Sequence, residues 1–292
     1  MTANTPRATR PFYWSVRREV WENRSVYIAL LCAGGLGLLA FGFSLRLLAE
    51  TMRGEHEPID LVMPYAHISM LLVFTVFVVG IFYSLEALHS ERRERSILFW
   101  KSLPVSDTTT VLAKASIPLV LMPAVALVIG VAAEWLMFVL SLVVALGGGV
   151  GVAALWREIP LVQLQMVLLY ELVVVALWHA PIYGWLLLVS GWARRATFLW
   201  AFLPPLAVGI FEFITFRTHH VFRLLGDRLF GFAPQAFSPW TPSGTPVDPH
   251  MILLPELTPG RFLASPGLWV GLVIAAVLIA LAIRMRRYRD PV

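Results

Sequence analysis

The sequence has only one cysteine, Cys32, in 292 residues, and only 14% of its residues are charged. One cysteine excludes an intrachain disulfide framework and any multi-cysteine metal site. A soluble domain carries about 25% charged residues, so this chain has too few to cover a soluble surface. The first 24 or so residues are polar and Arg-rich; with no apolar h-region they lack the pattern of a cleavable signal peptide. No GxxxxGK[ST] phosphate loop, no HExxH pair and no plausible Ser/His/Asp arrangement occurs. No catalytic residue and no metal site is therefore assigned. What the chain does have is apolar sequence: 58% hydrophobic residues and a mean hydropathy of +0.75. One soluble core cannot bury this much apolar side chain, so the surplus faces lipid or other membrane helices.

A helix needs about 20 apolar residues to cross about 30 Å of hydrocarbon. Six runs qualify: 26–48, 62–88, 117–146, 161–190, 197–216 and 268–283. The expected fold is an all-α membrane protein of six transmembrane helices. Pro118, Pro123 and Pro181 mark places where the long third and fourth runs kink, and Pro204-Pro205 predicts a break in the fifth. Gly34, Gly35 and Gly37 lie in the first run without any phosphate-loop context, as expected of residues that let helices pack closely. Gly147-Gly148-Gly149 ends the third.

Orientation follows from Arg and Lys. With the N-terminus inside, segments 1–24, 89–115, 191–196 and 284–292 carry 16 of the 23 basic residues, and 50–62, 147–160 and 217–266 carry 6. This asymmetry predicts both termini in the cytoplasm. The net charge of +5 thus speaks first of topology and not of nucleic acid. Residues 9–24 mix aromatics with Arg and Glu. Phe12, Trp14, Val16, Val20 and Trp21 largely share one side, and Arg17, Arg18 and Arg24 turn to water or phosphate, as in an amphipathic helix on the inner leaflet. An ordinary aromatic and basic anchor for the first span is the plainer alternative. The outer segment 217–266 is too rich in Pro, Phe and Trp for a floppy linker and predicts short helices or re-entrant turns.

The loop 89–115 holds the strongest functional signal. A charge cluster, Glu91 to Arg95, precedes a short apolar block, Ile97 to Trp100, then Lys101, Leu103 and Pro104. Ser106 and Asp107 are good N-caps for a helix leading into the third span. Large apolar residues held in water beside a membrane are a liability unless a partner covers them, so the block reads as a docking knob for a cytoplasmic protein. Its alternative is an interfacial turn in the headgroup layer.

The stretch from Glu91 through Arg92, Arg93, Glu94, Arg95, Ile97, Leu98, Phe99, Trp100, Lys101 and Leu103 to Asp107 resembles the first cytoplasmic loop of permease subunits of type-2 ATP-binding-cassette exporters. Residues Arg17 to Arg24 resemble that family's interfacial entry helix. Together the two stretches cover roughly 25 residues; elsewhere only the pattern of spans agrees. The resemblance implies a short cytoplasmic coupling helix, Glu94 to Leu103, with Ile97, Leu98, Phe99 and Trp100 in a groove of a separate ATPase subunit and Arg92, Arg93 and Arg95 pairing with acidic groups on its rim. It implies an assembly of two permeases with two ATPases in a bacterial inner membrane. ATP and Mg would bind the partner, no cofactor would bind this chain, and this chain would not itself be an enzyme.

Charges inside spans are costly and often functional. Glu134, Glu171 and Glu212 fall in three different spans and tend towards the outer half, where they would form an acidic pathway for a cationic or amphipathic substrate. The plainer reading has each carboxyl paired locally, protonated or snorkelling to the interface. His179, two residues before Pro181, reads as a partner for a freed backbone carbonyl and not as a metal ligand. His219 and His220 are adjacent and cannot both face one ion in a regular helix; His250 is distant. A membrane scaffold that recruits a soluble partner, or less readily an intramembrane enzyme, are the competing function classes.

Overall fold

The computed structural model describes residues 11–52, 61–93, 105–147, 152–240 and 252–288. The fold is all-α, and six of its helices are long and apolar enough to cross a membrane: Arg24–Leu47, Met63–Glu91, Asp107–Gly147, Leu155–Trp192, Thr197–Phe216 and Pro266–Tyr288. The chain is a multi-pass membrane protein. Helix α1 (Pro11–Glu22) leads into α2 (Arg24–Met52), the first span. The second span is α3 (Met63–Glu86), followed by the short α4 (His89–Arg93). The third is built from α5 (Asp107–Ser116), a π-helical turn at Ile117–Leu121, and α6 (Met122–Gly147). After α7 (Val152–Glu158) comes α8 (Leu161–Trp192), the fourth span, and α9 (Thr197–Phe216), the fifth. Helices α10 (His220–Phe230), α11 (Ala233–Ala236) and α12 (Pro259–Ala264) precede the sixth span, α13 (Pro266–Tyr288).

The fourth span is the pillar of the bundle. Its most apolar stretch is 72% buried, against 11% for the fifth span. In lipid every backbone polar group needs a protein partner, and the prolines test this rule. The π-helical turn begins at Ile117 and contains Pro118, so the third span absorbs that proline by widening locally. The break expected at Pro204-Pro205 does not occur: α9 is one helix with both prolines inside it. Pro205 has no N–H to give to the carbonyl of Ala201. The Trp185 indole N–H of α8 donates to that carbonyl instead, at 3.0 Å. Both the freed acceptor and the otherwise loosely held fifth span are thereby tied to the pillar.

The segment 217–240 folds back along the spans. Phe222 of α10 lies against Gly209 of α9. Arg228 donates to the carbonyls of Trp178 at 3.2 Å and Gly267 at 3.0 Å, and its guanidinium stacks over the Trp178 ring. The Trp178 indole N–H returns a bond to the Asp227 carbonyl. An antiparallel bridge between Phe237 and Leu257 joins the chain on either side of residues 241–251. Short helices were expected in 217–266, and α10, α11 and α12 supply them; residues 241–251 lie outside the described ones.

Close packing of the first span rests on its glycines, as their spacing suggests. A Cβ at Gly34 would come 2.7 Å from Ile129, and one at Gly37 would come 2.6 Å from Ile68, whereas Gly35 faces open space. Gly37→Leu should therefore overpack the contact of α2 with α3 and destabilise by about 1–3 kcal/mol. Gly35→Leu should not. The thermal unfolding midpoints of both variants in detergent check this; equal midpoints would contradict it.

Candidate functional site

At the end of the bundle where α1, α4, α5 and the last turn of α13 meet, four ionised side chains lie almost wholly inside the protein: Glu19, Glu91, Lys114 and Arg286, exposed by 2, 5, 3 and 8%. Each comes from a different element, and local sequence explains each position. Ser106 caps α5, its hydroxyl accepting from the Thr109 N–H at 3.1 Å. That start places Lys114 two turns further on, on the face towards α1. The short α4 is pinned by Ser190 of α8, whose hydroxyl accepts from the N–H groups of Leu88 at 2.8 Å and His89 at 3.2 Å. This aims Glu91 inward.

Helix α1 is turned differently from the expected amphipathic pattern. Val16 and Val20 pack on the bundle and Glu19 goes with them, while Phe12, Tyr13, Trp14 and Trp21 are exposed. Arg17 stacks over both Trp14 and Trp21. The valines and the two tryptophans thus lie on separate faces, because Glu19 takes the inward one to reach its partners.

The bonds form one continuous set. Glu19 Oε1 accepts from Lys114 Nζ at 2.8 Å and from Arg18 at 3.1 Å. Its Oε2 accepts from the Tyr83 hydroxyl at 2.9 Å. Glu91 Oε1 accepts from Arg18 at 3.0 Å and Lys114 at 3.1 Å, and its Oε2 from Arg286 at 2.6 Å. Arg286 Nε donates to Asp107 at 3.0 Å. Two buried acids face two buried bases, with Arg18 and Asp107 at the rim. Burial of an ion is tolerated only with such full pairing. Glu22, at the edge and bonded to Arg18 at 3.3 Å, has its pKa raised by desolvation, which outweighs the attraction of Arg18.

The cluster brackets the segment Glu94 to Leu103, which the resemblance assigns to the coupling helix. Glu91 lies just before it and Asp107 just after it. Among the residues assigned to coupling, Arg92 and Arg93 lie in α4; Glu94, Arg95, Ile97, Leu98, Phe99, Trp100, Lys101 and Leu103 lie outside the described residues. Of the three acids proposed for a pathway, Glu134 and Glu171 stand within electrostatic reach of each other. Glu212 does not join them in any described bond. It terminates α9 and caps α10, accepting from the Thr218 hydroxyl at 2.6 Å and the N–H groups of His220 and Val221 at 2.8 Å each. His179 faces backbone carbonyls with both ring nitrogens, Val175 at 2.9 Å and Leu229 at 3.1 Å. Among the described residues no group of three or more His, Cys, Asp or Glu side chains is placed to hold a metal.

Glu19, Tyr83, Lys114 and Arg286 were not singled out in the sequence as functional residues. Lys114 offered a signal: a lysine two turns into a helix that runs on into lipid must find an acid or reach water. Its partners, 95 and 23 positions away, gave none. No family model, curated protein or solved structure matches this chain.

Lys114 is the common donor to both buried acids, so Lys114→Met should destabilise by about 3–5 kcal/mol, the range for orphaning a buried ion. Glu19→Gln added to Lys114→Met should recover part of that loss. A double-mutant cycle on thermal midpoints measures this coupling, and strict additivity would show that the pair does not interact.

Proposed function

We propose that this chain is the permease subunit of an ATP-driven exporter of the type-2 ATP-binding-cassette class, set in a bacterial inner membrane with both termini in the cytoplasm. The observation that carries the reading is the buried charge cluster, which ties both flanks of the 94–104 loop to the entry helix and to the last span. A loop meant to receive a push from a soluble partner needs such stiff roots. Charge-assisted bonds in a low-dielectric setting are short and strong. The resemblance of the loop and entry-helix sequences to that family gives the reading its second support.

In this reading two copies of the chain face each other and two ATPase subunits dock below them. ATP and Mg bind those partners, and this chain carries out no catalysis. Ile97, Leu98, Phe99 and Trp100 sit in the ATPase groove, with Arg92, Arg93, Glu94, Arg95 and Lys101 around its edge and Leu103 closing the short helix. Closure of the ATPases displaces the loop. Glu91 passes the displacement to Arg286 and the sixth span, and Lys114 passes it to the third. The π-helical turn at Ile117–Leu121 lies one turn beyond Lys114, where a widened helix bends more readily than a regular one. Glu134 and Glu171 would lie along the substrate path.

The test is co-purification of the chain with a Walker-motif ATPase encoded beside it, comparing the wild type with Phe99→Ala/Trp100→Ala and assaying ATPase activity on each. The wild type should bring down active ATPase in equal stoichiometry, and the double variant should lose or uncouple it. A double variant indistinguishable from wild type would make Ile97–Trp100 an interfacial anchor and would defeat the coupling role.

A further inference from the structure

Glu134 is the thirteenth residue of the 26-residue helix α6, with about 20 Å of helix on each side at 1.5 Å per residue. Its side chain is wholly buried. One carboxyl oxygen accepts from the Ser69 hydroxyl of α3 at 3.2 Å, and the other has no hydrogen-bond partner among the described residues.

None of the described groups around it is a counter-ion. From α3 come Ser69 and Tyr65, the latter hydroxyl lying 3.5 Å from Ser141; His67 is on the exposed side of that helix. From α8 comes Glu171, a second acid. Gln165 of the same helix also has a buried amide nitrogen without a partner. In α2 the nearest basic residue towards the far end, Arg46, is bonded to Glu50 of its own helix. Arg157 and Glu158 of α7 are exposed, and the π-helical turn has no titratable residue.

A bare carboxylate in such a place would carry a desolvation penalty of several kcal/mol. A metal ion would need several oxygen ligands and room for them. The packing leaves little: one turn before Glu134, a Cβ at Gly130 would overlap the Leu168 side chain of α8 and lie 3.2 Å from Leu72 of α3. A proton needs no space. It neutralises the carboxyl and removes the charge that no described group balances.

We infer that Glu134 is an intramembrane proton-binding site whose proton exchanges with water, and that the packing of α3, α6 and α8 around it is the proton-bound form of the bundle. The inference holds whether or not the chain belongs to an exporter. The ligand is a proton taken from water and returned to it, so no other reactant is required. The Ser69 hydroxyl is the adjacent polar group able to relay it when the helices part, with Glu171 within electrostatic reach.

Infrared difference spectroscopy of the full chain in lipid tests this directly. The wild type should show a carboxylic acid C=O band that Glu134→Gln deletes and Glu134→Asp shifts. In the wild type alone the band should move in D2O and lose intensity as the buffer is made alkaline, so the result does not depend on how well either variant folds. Absence of an acid band assignable to Glu134 would mean an ionised carboxyl and overturn the inference. A band that neither D2O nor alkali alters would mean a locked structural proton and overturn it equally.

Discussion

Lys114 holds together the end of the molecule where the second, third and sixth spans meet. Its ammonium stands between two carboxylates that come from segments 72 residues apart, Glu19 and Glu91. Each acid reaches on to another element, Glu19 to Tyr83 in the second span and Glu91 to Arg286 in the sixth. Apolar packing between helices in a bilayer is weakly specific, because lipid tails are as apolar as the side chains they replace. A buried set of matched charges supplies direction: it fixes which helix end meets which, and at what rotation.

Elsewhere in the bundle a different problem is solved by side-chain donors to backbone carbonyls. Indole, imidazole and guanidinium donors from one element satisfy carbonyls of another: Trp185 on Ala201, His179 towards Leu229, Arg228 on Trp178 and Gly267. The fifth span is largely uncovered, yet its double proline is accommodated. The folded-back α10 is attached to the central span by side chains pointing both ways. Bonds of this kind hold irregular backbone at membrane depth without opening the bundle to water.

Much of this architecture was legible in the sequence. All six spans announced themselves as apolar runs, because length and hydropathy alone decide whether a helix can cross a bilayer. Gly34 and Gly37 announced their close approach. The proline pair at 204–205 misled, since the group that rescues it, the Trp185 indole, is fixed by tertiary packing and not by neighbours in the chain. The charge cluster was invisible for a related reason. Glu19, Lys114 and Arg286 each look like one more interfacial charge until the fold brings them to one point. Glu212 lies within the fifth apolar run, and the sequence did not show that its oxygens are spent on the next helix. Glu134 and Glu171 stand within electrostatic reach of each other.

The bond between Glu91 and Arg286 joins positions 195 residues apart, and this has a consequence for biogenesis. A chain made from its N-terminus inserts its first five spans before Arg286 exists. Until then Glu91 has Arg18 and Lys114 on one oxygen but lacks the Arg286 guanidinium. The bundle therefore completes its electrostatic closure only as the last turn of the last helix is delivered. A nascent chain that has not yet reached Arg286 lacks the bond that ties the end of the second span to the sixth. The ion pair thus forms late, however early the other members of the cluster are in place.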